Sequence, residues 1–264
     1  MHSNLDKYVA IARINFLNSL VYVTDMLGSA IFIALIIFLL GSLWTAVFAG
    51  QKTVQGFTLI QMLWYVVMTE AIIVSQGRVI EKITEEIQTG VIGNALNKPY
   101  QYLWYRYASV IGQAVVKFFL VFASGGIVAA LMVGVDWSIL ARLPLVVVPV
   151  FCAISLHFAM MAFLGLFGFW WENGTALHFI YQKFLFTIGG MLVPLEIFPA
   201  WLAGVSSMLP FSYVAYHPAR LFVHFSYEGV LRVVATQIIW IAIMIIACAA
   251  VYHIGIRRVS VNGG

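Results

Sequence analysis

The chain has 264 residues, of which 63% are hydrophobic and only 9% charged. Soluble domains run about 45–50% apolar and about 25% charged, so a soluble enzyme or binding module of this length is excluded. The net charge of +4 comes from 14 scattered Lys and Arg, with no basic stripe interleaved with aromatics, which argues against nucleic acid as a partner.

Residues 1–20, MHSNLDKYVAIARINFLNSL, hold no continuous apolar core and no clear cleavage site, so a cleaved signal peptide is not expected. Leu5, Tyr8, Val9, Ala12, Phe16 and Leu20 recur at helical spacing. That predicts an amphipathic helix over residues 1–22, lying in the membrane interface with its basic side toward lipid headgroups.

A spanning helix needs about 20 mainly apolar residues. The first such run lies between Asp25 and Lys52, and the second extends from Phe57 to Gln76 with Glu70 inside it. A polar stretch follows, residues 77–106. Its first part carries Glu81, Glu85 and Glu86 on a strong helix former, Gly90 and Gly93 permit a turn, and Pro99 marks a second break. Ile87, Val91, Ile92 and Leu96 supply a small apolar face. A solvated loop is the alternative, but the length of the stretch and its Ile, Tyr and Trp content favour a protruding short helix.

The third span covers about residues 108–134 and includes Lys117. An ionisable group inside a bilayer is costly and marks a functional position by default. Glu70 and Lys117 fall on adjacent spans in the same half of the membrane. Two arrangements stay open: an intramembrane ion pair, or Lys117 extended to the interface with its stem in the apolar layer. The fourth span lies between Arg142 and Glu172, and the fifth starts near Thr175. His157 and His178 sit in these runs without metal-binding spacing and suit core positions. Cys152 and Cys248 lie in apolar runs with no CxxC motif, so no disulfide framework or metal site is indicated.

Residues 189–211, GGMLVPLEIFPAWLAGVSSMLPF, are as apolar as a span yet hold Gly190, Pro194, Pro199, Pro210 and Glu196. Each proline lacks an N–H and interrupts the helical ladder. Irregular backbone at membrane depth must be covered by protein or line a cavity. Residues 194–227 are therefore expected to form short helices that dip into the outer leaflet and return, broken at Gly190, Pro194, Pro199 and Pro210. Closing the outer end of a pathway, as an outer gate, is a role that only the family resemblance given below implies for them. An ordinary external loop with short amphipathic helices is the alternative. The sixth span lies between Arg232 and Arg257.

Six spans place both termini on one side. Lys7, Arg13, Arg78, Lys82, Lys98, Arg106, Lys183, Arg257 and Arg258 share that side, against Lys52, Arg142, Arg220 and Arg232. The excess of basic residues makes it the cytoplasmic one. Trp44, Trp137, Trp170, Trp171 and Trp201 cluster near span ends, as interfacial aromatics do. The expected fold is a single all-α transmembrane domain over residues 1–264. It has six transmembrane helices, an N-terminal interfacial helix, a cytoplasmic coupling helix and a re-entrant outer segment before the last span.

The spacing Glu86-x-x-x-Gly90, with Pro99 nine residues on, resembles the cytoplasmic loop of type-2 ABC exporter permeases. The series Gly190, Pro194, Pro199, Trp201 and Pro210, followed by Arg220, resembles that family's segment before the last span, and IRRVSVNGG resembles endings in one prokaryotic branch of it. Gln88 departs from the pattern, since many relatives carry a second acidic residue there. The resemblance implies a permease subunit of an ATP-driven exporter in a prokaryotic plasma membrane. Two separate ATPase subunits would bind the 77–106 loop through Glu85, Glu86, Gly90, Leu96 and Pro99. A second permease chain, identical or homologous, would complete the pathway. ATP and Mg would belong to the ATPase, because this chain has no GxxxxGK[ST] phosphate loop and is not itself expected to be an enzyme or to bind a cofactor. An ATP-independent transporter or channel is the alternative, although membrane charges are few and no internal repeat is visible. An intramembrane enzyme is disfavoured by the lack of GxSxG, HExxH or paired membrane aspartates.

Overall fold

The computed structural model describes residues 4–22, 24, 27–96 and 100–259. Asp25, Lys98, Pro99 and the tail from residue 260 lie outside them. The described chain is helical: α1 (Asn4–Val21), α2 (Leu27–Phe48), α3 (Leu59–Val74), α4 (Val79–Gln88), α5 (Val91–Leu96), α6 (Tyr102–Val133), α7 (Trp137–Leu140), α8 (Val147–Gly165), α9 (Gly174–Thr187), α10 (Ala200–Met208), α11 (Pro210–Val214), α12 (Tyr216–Val223) and α13 (Tyr227–Val259).

Helix α3 is the centre of the bundle. Thr58 and Gln61 close a reciprocal capping box at its start, satisfying two N–H groups that would otherwise be orphaned. Every residue from Met62 to Ile72 is buried. A helix apolar on all sides needs neighbours on all sides, and α2, α6, α8 and α12 supply them. By contrast α2 and α13 leave whole faces open, with Ile31, Phe32, Leu35, Ile239 and Ile246 exposed. In hydrocarbon that exposure carries no penalty, and helices associate instead through close packing at small residues. Gly126 of α6 meets the Trp64 ring of α3, where a Cβ would stand 3.3 Å from the indole. Gly112 of α6 lies under the Ala12 carbonyl of α1 with no room for a side chain.

Helix α1 packs along α6. Its contact face takes only part of the apolar stripe: Tyr8, Ala12 and Phe16 are half-buried beside the buried Ser19, whereas Leu5, Val9 and Leu20 are exposed. Asn15 makes the junction, its Oδ1 accepting from Ser109 Oγ at 2.9 Å and Gln113 Nε2 at 3.0 Å. Between α6 and α8 the chain turns through α7, whose start is capped by Asp136. The Ser138 hydroxyl and the backbone N–H groups of Ser138 and Ile139 hold the Asp136 carboxyl below the usual carboxylate range.

Among the described residues, five helical stretches are long and apolar enough to cross a membrane: Leu27–Phe48, Leu59–Gln88, Tyr102–Val133, Leu143–Phe169 and Tyr227–Arg257. Four of them match the expected first, third, fourth and sixth spans. Leu59–Gln88 starts with the expected second span but runs past Gln76, through Gly77 and α4, into the segment expected to be a cytoplasmic loop. The expected fifth is α9, which has only 14 residues. At 1.5 Å per residue it covers about 21 Å, short of the about 30 Å of hydrocarbon. The reason lies in the sequence at its end: Gly190 adopts φ +69°, and the prolines that follow forbid a continued ladder.

Candidate functional site

Two regions concentrate polar contacts across elements: the docking of α4 onto the bundle, and the broken segment after α9.

Helix α4 follows α3 after a break at Gly77, where φ is +68°. Its apolar residues Val79, Ile80, Ile83 and Ile87, together with Thr84, are buried, whereas Lys82, Glu85 and Gln88 are exposed. The buried face enters a groove built from glycines of α8, α9 and the 3-10 turn at residues 166–169. A Cβ on Gly165 would stand 2.9 Å from Ile83 Cβ, one on Gly168 2.9 Å from Thr84 Cα, and one on Gly174 2.8 Å from Thr84 Oγ1. Any side chain in the groove would lift α4 off. Thr84 Oγ1 also donates to the Gly165 carbonyl at 3.3 Å.

Two polar tethers fix the same helix. Glu86 is ion-paired with Arg106 of α6, and its Oε2 accepts from Arg106 Nε and from the Tyr102 hydroxyl, each at 2.7 Å. The two side chains are 16% and 10% exposed, so water screens the pair only weakly. Tyr102 stacks on Tyr252 of α13, centroids 6.3 Å apart, which links the tether to the last helix. On the other side His178 Nδ1 of α9 donates to Glu81 Oε2 at 2.9 Å. Helix α4 is thus bound to α6, α8 and α9 at once, with a charged face turned outward.

Of the residues that the sequence assigns to the coupling loop, Glu85 is exposed on that outward face and Glu86 points inward. Gly90 has φ +74° and turns the chain from α4 into α5, which ends at Leu96. Pro99 falls outside the described residues. Tyr102 and the three groove glycines carry no signal in the sequence, and His178, expected at a core position, instead holds Glu81 of α4. Arg106 carried only a topological meaning, and no local pattern tells a helix-start arginine that it will meet a glutamate 20 residues earlier.

In the broken segment each proline has a defined place. Pro194 precedes a single 3-10 turn at Leu195–Ile197, Pro199 precedes α10, and Pro210 opens α11. First-turn positions need no N–H, so proline fits them without loss. The backbone groups freed at the end of α9 are taken up by α3: the Tyr65 hydroxyl donates to the Gly190 carbonyl, and Thr69 Oγ1 donates to the Met191 carbonyl at 2.8 Å. Tyr216 N donates to the Gly189 carbonyl at 3.3 Å. Glu196 Oε1 accepts from the Tyr216 hydroxyl at 2.8 Å and from Arg220 Nε at 2.6 Å, tying the 3-10 turn to α12. Pro194, Pro199 and Gly190 therefore bracket a covered irregular segment, as the hydrocarbon environment demands.

Glu70 and Lys117 do not form an ion pair among the described residues. Lys117 instead extends its ammonium to within 3.4 Å of where a Cβ on Gly77 would stand, seven residues beyond Glu70 and at the start of the polar segment. His157 is a core residue: Nδ1 lies 2.7 Å from the Tyr181 hydroxyl and Nε2 3.3 Å from the Ile73 carbonyl.

The fold and these contacts define a multi-pass helical membrane protein with a helix strapped to one end of its bundle. The family profile described as "ABC-2 family transporter protein" matches residues 30–263. The chain belongs to that family, as a permease subunit of an ABC transporter, the part of such an assembly that lacks its own ATPase domain and associates with ABC ATPase subunits. A comparison with curated proteins gave no match.

Proposed function

We propose that the chain forms the translocation pathway of an ATP-driven exporter together with a second permease chain, and that two ATPase subunits drive it through residues 77–106. The observation that carries this reading is the mounting of α4. A helix that only filled a loop would not need an ion pair, a histidine hydrogen bond and a glycine groove to hold it against three others. Helix α4 presents Lys82, Glu85 and Gln88 outward, where a partner can push, while Glu86, Thr84 and Glu81 pass the push to α6, α8 and α9. ATP and Mg sit on the partner, because no phosphate-binding loop occurs in this sequence.

In this reading α9 and the irregular segment after it together make the fifth crossing, which brings the total to six, so both termini lie in the cytoplasm of a prokaryotic cell. The segment over residues 194–227 is re-entrant and closes the outer end of the pathway. Gly190, Pro194, Pro199 and Pro210 set its shape, and the Glu196–Arg220 contact holds it shut.

Affinity purification from the native membrane tests the reading. An ATPase with a phosphate loop should accompany the tagged chain, and Lys82→Glu with Glu85→Arg should lose it while the thermal midpoint of the permease stays unchanged. Substrate movement across vesicles holding this chain and no nucleotide-binding partner would overturn it.

A further inference from the structure

A cavity of about 430 Å³ opens between α6, α8 and α13, away from the α3–α9 side and from the outer segment. Its wall is built from Leu103, Phe158, Ala159, Ile245 and Ala249, with Trp104 at the rim. Away from Gln101 at one end, the polar groups Tyr107, Ser155 and Cys248 are already partnered. Tyr107 and Ser155 lie 2.8 Å apart, Ser155 also donates to the Phe151 carbonyl at 2.9 Å, and Cys248 Sγ rests 3.5 Å from the Ala159 carbonyl. Water entering such a space would find almost nothing to bond, and apolar cavities of this kind stay dry.

From the geometry we infer that this cavity holds one long acyl chain of a bilayer lipid, drawn from the leaflet on the side of the coupling segment. Three features select that occupant. All three walls belong to membrane-crossing helices, so the medium at the mouth is lipid rather than water. One end of the cavity is set by Gln101 and Trp104, at the start of α6, where the polar segment meets the apolar layer. A polar amide and an indole at that level suit a headgroup and glycerol backbone, leaving the tail to run inward along Tyr107 and Phe158. The volume also excludes a helix of a second chain. One helical turn with its side chains fills a cylinder of roughly 400–600 Å³, so the cavity accepts about one turn at most, whereas a flexible chain fits along it.

The occupant would bear on the coupling helix. Leu103, Trp104 and Tyr107 lie within one turn of Tyr102 and Arg106, which grip Glu86. A chain lodged there packs the first turns of α6 against α8 and α13, the part of the bundle that α4 pulls on.

Photolabelling of the complete transporter in phosphatidylcholine nanodiscs doped with a phosphatidylcholine bearing a diazirine on its acyl chain tests the inference. Peptide mapping should find label at Leu103, Phe158 or Ile245. Ala249→Trp, which fills the cavity from its exposed rim and spares the core, should lose that label while label on the open face of α2 at Ile31 and Phe32 persists. Equal labelling of both faces, unchanged by Ala249→Trp, would overturn the proposal. So would label in the cavity from diazirine palmitic acid but none from the phospholipid, which would assign the site to a free fatty acid, or a cross-link there to a second permease chain.

Discussion

At the scale of single residues, the Glu86–Arg106 pair is the most consequential contact in the protein. Both groups are withdrawn from water, Arg106 meets both carboxylate oxygens of Glu86, and Glu86 accepts one further bond from the Tyr102 hydroxyl. Removing one partner leaves the other charge buried alone, which costs about 3 kcal/mol or more. Glu86→Ala should therefore lower the thermal midpoint of the detergent-solubilised chain, and Arg106→Met should do the same. The double variant should lose less than the sum of the two, since neither charge is then stranded. Additive losses would mean that the two side chains do not act on each other. Glu86 was legible from its spacing to Gly90 and Pro99. Arg106 was not, because a pair that joins two helices depends on how the chain folds back, which one-dimensional spacing does not encode. Glu70 and Lys117 show the same limit in reverse: sequence placed them on adjacent spans, but Lys117 has a stem long enough to choose the end of the bundle over a partner.

At the scale of elements, the long helices and the existence of short ones at residues 77–106 and 194–227 are legible in the sequence, whereas what the short ones dock against is not. Hydropathy runs mark α2, α6, α8 and α13 because lipid tolerates only satisfied backbone, and a long apolar helix is the simplest way to satisfy it. The break after α9 was visible in Gly190 and the prolines. Its solution was not, because the donors that complete it, Tyr65 and Thr69, come from α3 more than 100 residues earlier. Tyr65→Phe should leave the Gly190 carbonyl unpaired in a buried place, a loss of about 1–3 kcal/mol. Gly190→Ala should be at least as damaging, since alanine resists φ +69° and its Cβ would press on Tyr216 at 2.9 Å. Hydrogen exchange over residues 188–198 measures both. Faster exchange confined to this stretch is expected. Protection equal to the parent in both variants would show that the segment is held by something other than α3.

At the scale of the whole molecule, polar contacts across elements gather in two places, the mount of α4 and the broken segment after α9. The α4 mount joins α6, α8 and α9, and α9 leads directly into the segment that Glu196 and Arg220 tie together. A displacement of α4 therefore has a covalent and packed route to the far side, through Glu81, His178 and α9. The amount of apolar sequence announced a membrane protein, and the order of its interruptions announced the class. The strapping of one helix to three others is the feature on which the proposed coupling to a partner's ATP cycle rests. The most direct measurement follows a single cysteine, Trp201→Cys, placed on the exposed part of α10 in a background with Cys152→Ala and Cys248→Ala. Its labelling by a membrane-impermeant maleimide should change when the reconstituted transporter is given ATP and trapped. Adding Glu86→Gln should abolish that change while the ATPase remains bound and hydrolyses ATP. An ATP-dependent change that survives the loss of the Glu86 carboxylate would contradict the account.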